Sequence, residues 1–149
     1  MTGVQTCALP IYSIRLLIAD VTNGQLKDLV RTMVIVRLGQ GVDKTGAFAQ
    51  DALERTFAAV DGYADLIREY QPERIRFVAT SASRDVSNRA TFESGIKERL
   101  GVSPDVISGD EEARLSFLGA TSGLSNADLT RAPFLVVDIG GGSTEFVLG

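Results

Sequence analysis

The chain contains no histidine and no tryptophan, and Cys7 is its one cysteine. Without imidazole, Ser-His-Asp triads, phosphohistidine intermediates and histidine metal sites are excluded from these 149 residues. A general base here has to be a carboxylate, a lysine or a tyrosine. One cysteine cannot close an intrachain disulfide, which suits a reducing compartment. No apolar run approaches the roughly 20 residues of a membrane span, and no stretch reads as a secretory leader. The expectation is a cytoplasmic protein without membrane contact. The net charge of −4 argues against nucleic acid as a partner. A polyphosphate ligand stays open, because it needs only local positive charge. Mixed charges and 44% hydrophobic content are enough for one domain with a core.

What is present gathers around the last stretch, Val136 to Leu148. An apolar run, Phe134 to Val137, reads as a buried strand. It meets Asp138, then Gly140, Gly141 and Gly142, then Ser143 and Thr144, then Glu145 and a second apolar run. Glycines remove Cβ atoms, so backbone N–H groups can close around an anion. The two hydroxyls add donors. Asp138 and Glu145 are hard oxygen ligands suited to Mg²⁺ beside phosphate. The stretch therefore reads as a phosphate-binding hairpin; the plainer alternative is a glycine-rich hairpin with two solvated acids.

Upstream, Ile14 to Val21 reads as a mostly buried strand, and Asn23-Gly24 as a two-residue hairpin. Leu26 to Val36 reads as a second strand, and residues 37–43 as a loop or short edge strand. Leu53, Phe57, Val60, Ala64 and Ile67 fall on one helical face, predicting a helix over 50–70 that Pro72 stops. Ile75 to Thr80 reads as a strand, with the polar segment Thr80 to Asp85 at its C-terminal end, where open α/β sheets place ligands. A second helix from about Asn88 points Phe92, Ile96 and Leu100 inward and ends at Gly101. Asp105 to Ile107 reads as a short strand. Ser108 and Glu111 have capping-box spacing and open a third helix with Leu115 and Leu118 inward. Residues 121–131 read as a loop.

An internal repeat is visible when Ser13 is set against Ser143. Asp138 then corresponds to Ala8, and Gly140, Gly141 and Gly142 to Pro10, Ile11 and Tyr12. If two copies of one phosphate hairpin exist, the first has lost its acid and its glycines.

Several stretches together resemble the amino-terminal part of the exopolyphosphatase/guanosine pentaphosphate phosphohydrolase (Ppx/GppA) family. They are Ser13 to Asp20, Arg37 to Gly41, Thr80 to Asp85, Ile107 to Leu115 and Asp138 to Glu145. The glycine hairpin alone would also suit sugar kinases and actin-like ATPases; the Ser-Gly-Asp-Glu-Glu-Ala-Arg-Leu stretch is more specific. The resemblance implies an α/β, ribonuclease-H-like fold of the actin and Hsp70 type. A mixed sheet with flanking helices would span 13–131, and the first hairpin of a second such domain 132–149. The family pattern expects an Asp-x-Gly-Thr/Ser-Asn-Ser loop, of which only Ser13 survives. Met1 to Tyr12 looks like a non-native scar to be set aside, with the first strand and first phosphate loop missing and the chain a fragment.

The same resemblance implies Glu112 as catalytic base and Arg84 as a phosphate-binding catalytic group. Ser13, Gly140, Gly141, Gly142, Ser143 and Thr144 would join Arg84 on phosphate, with Asp138 and Glu145 on Mg²⁺ or another divalent cation. Physics is compatible with Glu112, a first-turn acid whose ionised form the helix macrodipole favours. The alternatives are a solvated first-turn acid for Glu112 and an ion pair with Asp85 for Arg84. Asp110 reads as solvated, and Arg37, Lys44 and Arg89 as surface cations, with added charge in the cleft as the alternative. The implied substrates are inorganic polyphosphate or guanosine pentaphosphate, and the implied parent is a homodimer. A non-catalytic phosphate- or nucleotide-binding module, or a relative of the actin-like ATPases and sugar kinases, is the competing reading.

Overall fold

The computed structural model describes residues 2–9, 12–23, 25–80, 83–124, 133–139 and 144–149. Eleven elements run in the order β1 (Thr2–Leu9), β2 (Ser13–Thr22), β3 (Gln25–Ile35), α1 (Val42–Thr45), α2 (Gln50–Tyr70), β4 (Arg74–Ala79), α3 (Arg89–Leu100), β5 (Asp105–Val106), α4 (Gly109–Thr121), β6 (Leu135–Ile139) and β7 (Thr144–Leu148). The main sheet has strand order β3-β2-β1-β4-β5. β1, β2 and β3 are antiparallel neighbours, and β4 and β5 continue the sheet in parallel. β6 and β7 form a separate two-stranded sheet. This is an α/β fold built on a mixed sheet.

β1 corrects one expectation. Thr2–Leu9, set aside on sequence grounds, is the central strand, with β2 on one side and β4 on the other. The position of the first strand is therefore filled. Main-chain hydrogen bonding needs only a backbone N–H and C=O, so eight extended residues without proline can complete the ladder.

The rest of the sheet follows its pattern. Ile14, Leu16 and Ile18 alternate onto the face that packs against α2 and are buried. Thr22 pairs with Gln25 across the tight turn, where Asn23 adopts φ 52°; Gly24 lies outside the described residues. Residues 38–41 form turns and Val42–Thr45 a single helical turn, so this segment is not an edge strand.

α2 spans the expected residues and buries Leu53, Val60, Ala64 and Ile67. Gln71, at φ 44°, closes it ahead of Pro72. α3 buries Phe92, Ile96 and Leu100 and ends at Gly101 in the left-handed region. Its N-cap Asn88 turns away from its own helix. The amide Nδ2 donates to Phe48 O, and Oδ1 accepts from Phe48 N, both at 2.9 Å. That clasp holds the loop ahead of α2 to the start of α3, with Phe48 packed edge-on against Phe92.

α4 departs from its pattern. Leu118 is 50% exposed rather than inward, and Glu112 is the one buried residue of the helix among those described. α4 packs on β6 and β7, and two strands are too narrow to cover a second helical face. For the same reason β6 is not a buried strand: Leu135, Val137 and Ile139 face solvent while Val136 and Asp138 are half-buried.

Candidate active site

Three chain ends converge. β5 pairs with β4 at Val78–Asp105 and Ala79–Val106, and Ile107 N donates to Ala79 O at 3.0 Å. The segment opening α4 therefore lies beside the C-terminal end of β4. At that opening, Ser108 caps the helix: its Oγ accepts from Glu111 N at 3.2 Å. Glu111 does not return the contact as a full capping box would. Its carboxylate accepts from Arg114 Nε and Nη2 at 2.7 and 2.8 Å, because a charged partner one turn on outcompetes a neutral backbone N–H. Asp110 is exposed, as expected of a solvated acid.

Glu112 is different. It is 9% exposed, and its Oε2 is buried with no hydrogen-bond partner among the described residues. Arg84 Nη2 stands 4.0 Å from that oxygen, while Arg84 Nη1 donates to Ile107 O at 3.2 Å. The guanidinium thus turns to the α4 opening rather than to exposed Asp85. Burial pushes the Glu112 carboxyl above its ordinary range, and the Glu145 carboxylate pushes it further. Arg84 and the Thr80 side chain pull it back, and Asp138 adds a smaller upward push. Glu112, Arg84, Thr80, Asp138 and Glu145 therefore lie within one electrostatic neighbourhood.

Asp138 and Glu145 are directly opposite across β6–β7, half-buried on one face. Two carboxylates so placed repel, and a cation or protons between them would relieve the repulsion. That donor set fits a divalent cation held partly by water and substrate oxygens. Among the described residues no group of three acids or cysteines forms a complete metal cage. Gly140, Gly141, Gly142 and Ser143 lie outside the described residues, whereas Thr144 opens β7 as an exposed residue paired with Ile139.

Ser13 is buried at the start of β2 and pairs with Leu9. Because Cys7 pairs with Val78, this end of β1 is level with Thr80. The hairpin registers refine the repeat. Leu9–Ser13 brackets residues 10–12, and Ile139–Thr144 brackets residues 140–143. Ser13 therefore corresponds to Thr144 in the ladder, one residue on from Ser143. The Asp138–Glu145 pair has Ala8–Ile14 as its counterpart.

Two residues gain a place that their spacing did not indicate. Thr80 was part of a polar segment without a role. Arg37 read as a surface cation; it is exposed, but at φ 52° its N–H donates to Tyr12 O at 2.9 Å and its guanidinium lies 5.8 Å from the Tyr12 ring centre. A non-glycine residue at positive φ was the available signal, and sequence does not display it. Lys44 is exposed and Arg89 pairs with Glu93, as surface cations do.

The model of the Ppx/GppA phosphatase family matches residues 17–149. The chain belongs to the Ppx/GppA phosphatase family. Exopolyphosphatase 2 of Mycobacterium tuberculosis is 53% identical over an alignment of 158 residues covering the whole chain and 49% of that protein. A crystal structure of an exopolyphosphatase-like protein superposes with a TM-score of 0.89 at 52% identity, over 99% of this chain and 44% of the other. An exopolyphosphatase from Cytophaga hutchinsonii gives 0.86 at 29% identity, over 99% and 46%. The chain thus spans about half the length of the Ppx/GppA relatives it matches. The family match starts at residue 17, yet the structural likeness extends through β1.

Proposed function

We propose that this chain carries the first half of a phosphohydrolase site that releases terminal orthophosphate from inorganic polyphosphate, or the 5′ γ-phosphate from guanosine pentaphosphate. The observation that carries the reading is the unpartnered, buried Oε2 of Glu112, set between Arg84 and the Asp138–Glu145 pair. Among the described residues that oxygen accepts no hydrogen bond, and Arg84 Nη2 stands off at 4.0 Å, which leaves it open to a water. Ionised, Glu112 takes a proton from that water as its oxygen attacks the terminal phosphorus and the bond to the bridging oxygen breaks. Arg84 offers a planar fork to the charge gathering on the phosphoryl oxygens. Asp138 and Glu145 would hold Mg²⁺, which when bound neutralises phosphate charge. Ser13, Thr144 and residues 140–143 would cradle the phosphate chain. In this reading β1 to α4 form a ribonuclease-H-like domain, β6–β7 begin a second, and the cleft lies between.

The test is orthophosphate release with Mg²⁺ from polyphosphates of several lengths and from guanosine pentaphosphate. It is run on this chain and on one carried on to the length of its relatives. Glu112→Gln is expected to lower the rate by about 10²–10⁴-fold, the usual share of a general base. A rate left intact in that variant would remove Glu112 from the role.

A second reading, phosphate binding without turnover, is favoured by the Ala8–Ile14 pair. The first hairpin has apolar residues where the second has two acids. Calorimetry with pyrophosphate and polyphosphate alongside the release assay separates the two.

A further inference from the structure

Thr80 is the first residue past β4 and is 4% exposed. The Ile107 N to Ala79 O bond places the α4 opening directly beside it, and Glu112 N donates to Ser108 O at 2.9 Å one turn later. A β-strand end and a helix first turn are thereby stapled together, with a hydroxyl on one and a buried carboxyl on the other. Ser83 N donates to Thr80 O at 3.0 Å, so the same residue closes the turn that leads to Arg84.

We propose that Thr80 is a positioning residue for Glu112, its hydroxyl donating to one carboxylate oxygen so that Oε2 is left facing the reacting water. The proposal deepens the hydrolase reading and rests on it for its consequence, but the contact itself is tested without turnover. A buried carboxylate can rotate about its last torsion, since that torsion is broad and two-fold. One fixed oxygen removes that freedom and selects which oxygen meets the water. Chemically, a hydroxyl donor suits this place better than a lysine or arginine. It favours the charged carboxylate without an ion pair that would occupy Oε2. The other groups in the field of Glu112 are Arg84 on the loop after β4, Asp138 on β6 and Glu145 on β7. None of them is hydrogen-bonded to Oε2, and Arg84 Nη2 stands 4.0 Å from it.

The experiment is a double-mutant cycle on this chain in metal-free buffer at pH 7, read as urea midpoints. Thr80→Val is expected to lower the midpoint, and Thr80→Ser to restore most of the loss. In a Glu112→Ala background the effect of Thr80→Val is expected to shrink by at least half, or to reverse, because the hydroxyl then lacks its acceptor. An undiminished effect there, or a serine that rescues nothing, overturns the proposal. Should Thr80→Val fail to fold, the hydroxyl proton of Thr80 serves in its place by NMR. It is expected to exchange slowly enough for detection in the parent and to vanish in Glu112→Ala. Persistence in that variant, or absence from the parent, overturns the proposal equally. Phosphate release depends on Glu112→Gln instead, so a failed cycle and a failed hydrolase assignment are told apart.

Discussion

Glu112 is the residue whose environment works most plainly against its charged form. Burial raises its carboxyl first, the Glu145 carboxylate second, and Arg84 offsets only part of this from 4.0 Å. The native state therefore takes up a proton there more readily than the unfolded chain does. The resulting stability is fully present below the ordinary glutamate range and is lost as pH rises through the raised native value. Glu112→Gln carries no charge at any pH, so it should match the parent in acid and exceed it at neutral pH. A melting midpoint equal to the parent's in acid and above it at neutral pH is the expected result. Melts from pH 4 to 8 in metal-free buffer check it; a difference constant across that range would show that the charge is not its source. A group that costs stability when ready to act is what a reactive site requires.

At the scale of elements, helices were the most legible part of the chain. The spacing of Leu53, Val60, Ala64 and Ile67 placed α2 at its observed bounds, and the Phe92, Ile96 and Leu100 spacing did the same for α3. Each buries one stripe against the sheet, and the stripe is written in the sequence. What was not legible shares one cause, dependence on partners distant in sequence. β1 fills the sheet by backbone pairing that no side-chain pattern announces. Asn88 found Phe48, 40 positions away. Glu112, Asp138 and Glu145 could be singled out by residue type and motif, but their gathering from α4, β6 and β7 into one neighbourhood is a property of the fold. Gly95 shows the same limit. On an isolated helix, Gly→Ala adds about 0.5–1 kcal/mol. Here a Cβ would stand 2.3 Å from Phe57 Cζ, and that ring lies under the Arg99 guanidinium at 4.4 Å. Overpacking of this kind costs roughly 1–3 kcal/mol. Gly95→Ala is therefore expected to lower stability by about 1–2 kcal/mol in urea denaturation, and Phe57→Leu in the same chain to recover part of it. A Gly95→Ala variant more stable than the parent would mean that α2 and α3 separate freely.

For the whole molecule, the uneven distribution of apolar surface matters most. The main sheet and its helices close over Leu16, Ile18, Val60, Phe92 and Ile96, each no more than 1% exposed. The hairpin does not close. Leu135, Ile139, Phe146 and Leu148 are 61–79% exposed on one face, while its other face meets α4. A two-stranded sheet is marginal by itself, and a contiguous apolar face of this kind drives association. An unpaired strand edge adds to it. The chain is accordingly expected to self-associate in a concentration-dependent way, with the hairpin as the contact. Phe146→Thr with Leu148→Thr keeps β propensity while removing the apolar face, and should shift the chain toward monomer in sedimentation velocity at tens of micromolar. The same two changes should leave the α2–α3 core intact, because neither residue touches the buried cluster. If the double variant associates as strongly as the parent, the contact lies elsewhere, and the exposed β3 residues Leu26, Met33 and Ile35 are the next surface to alter.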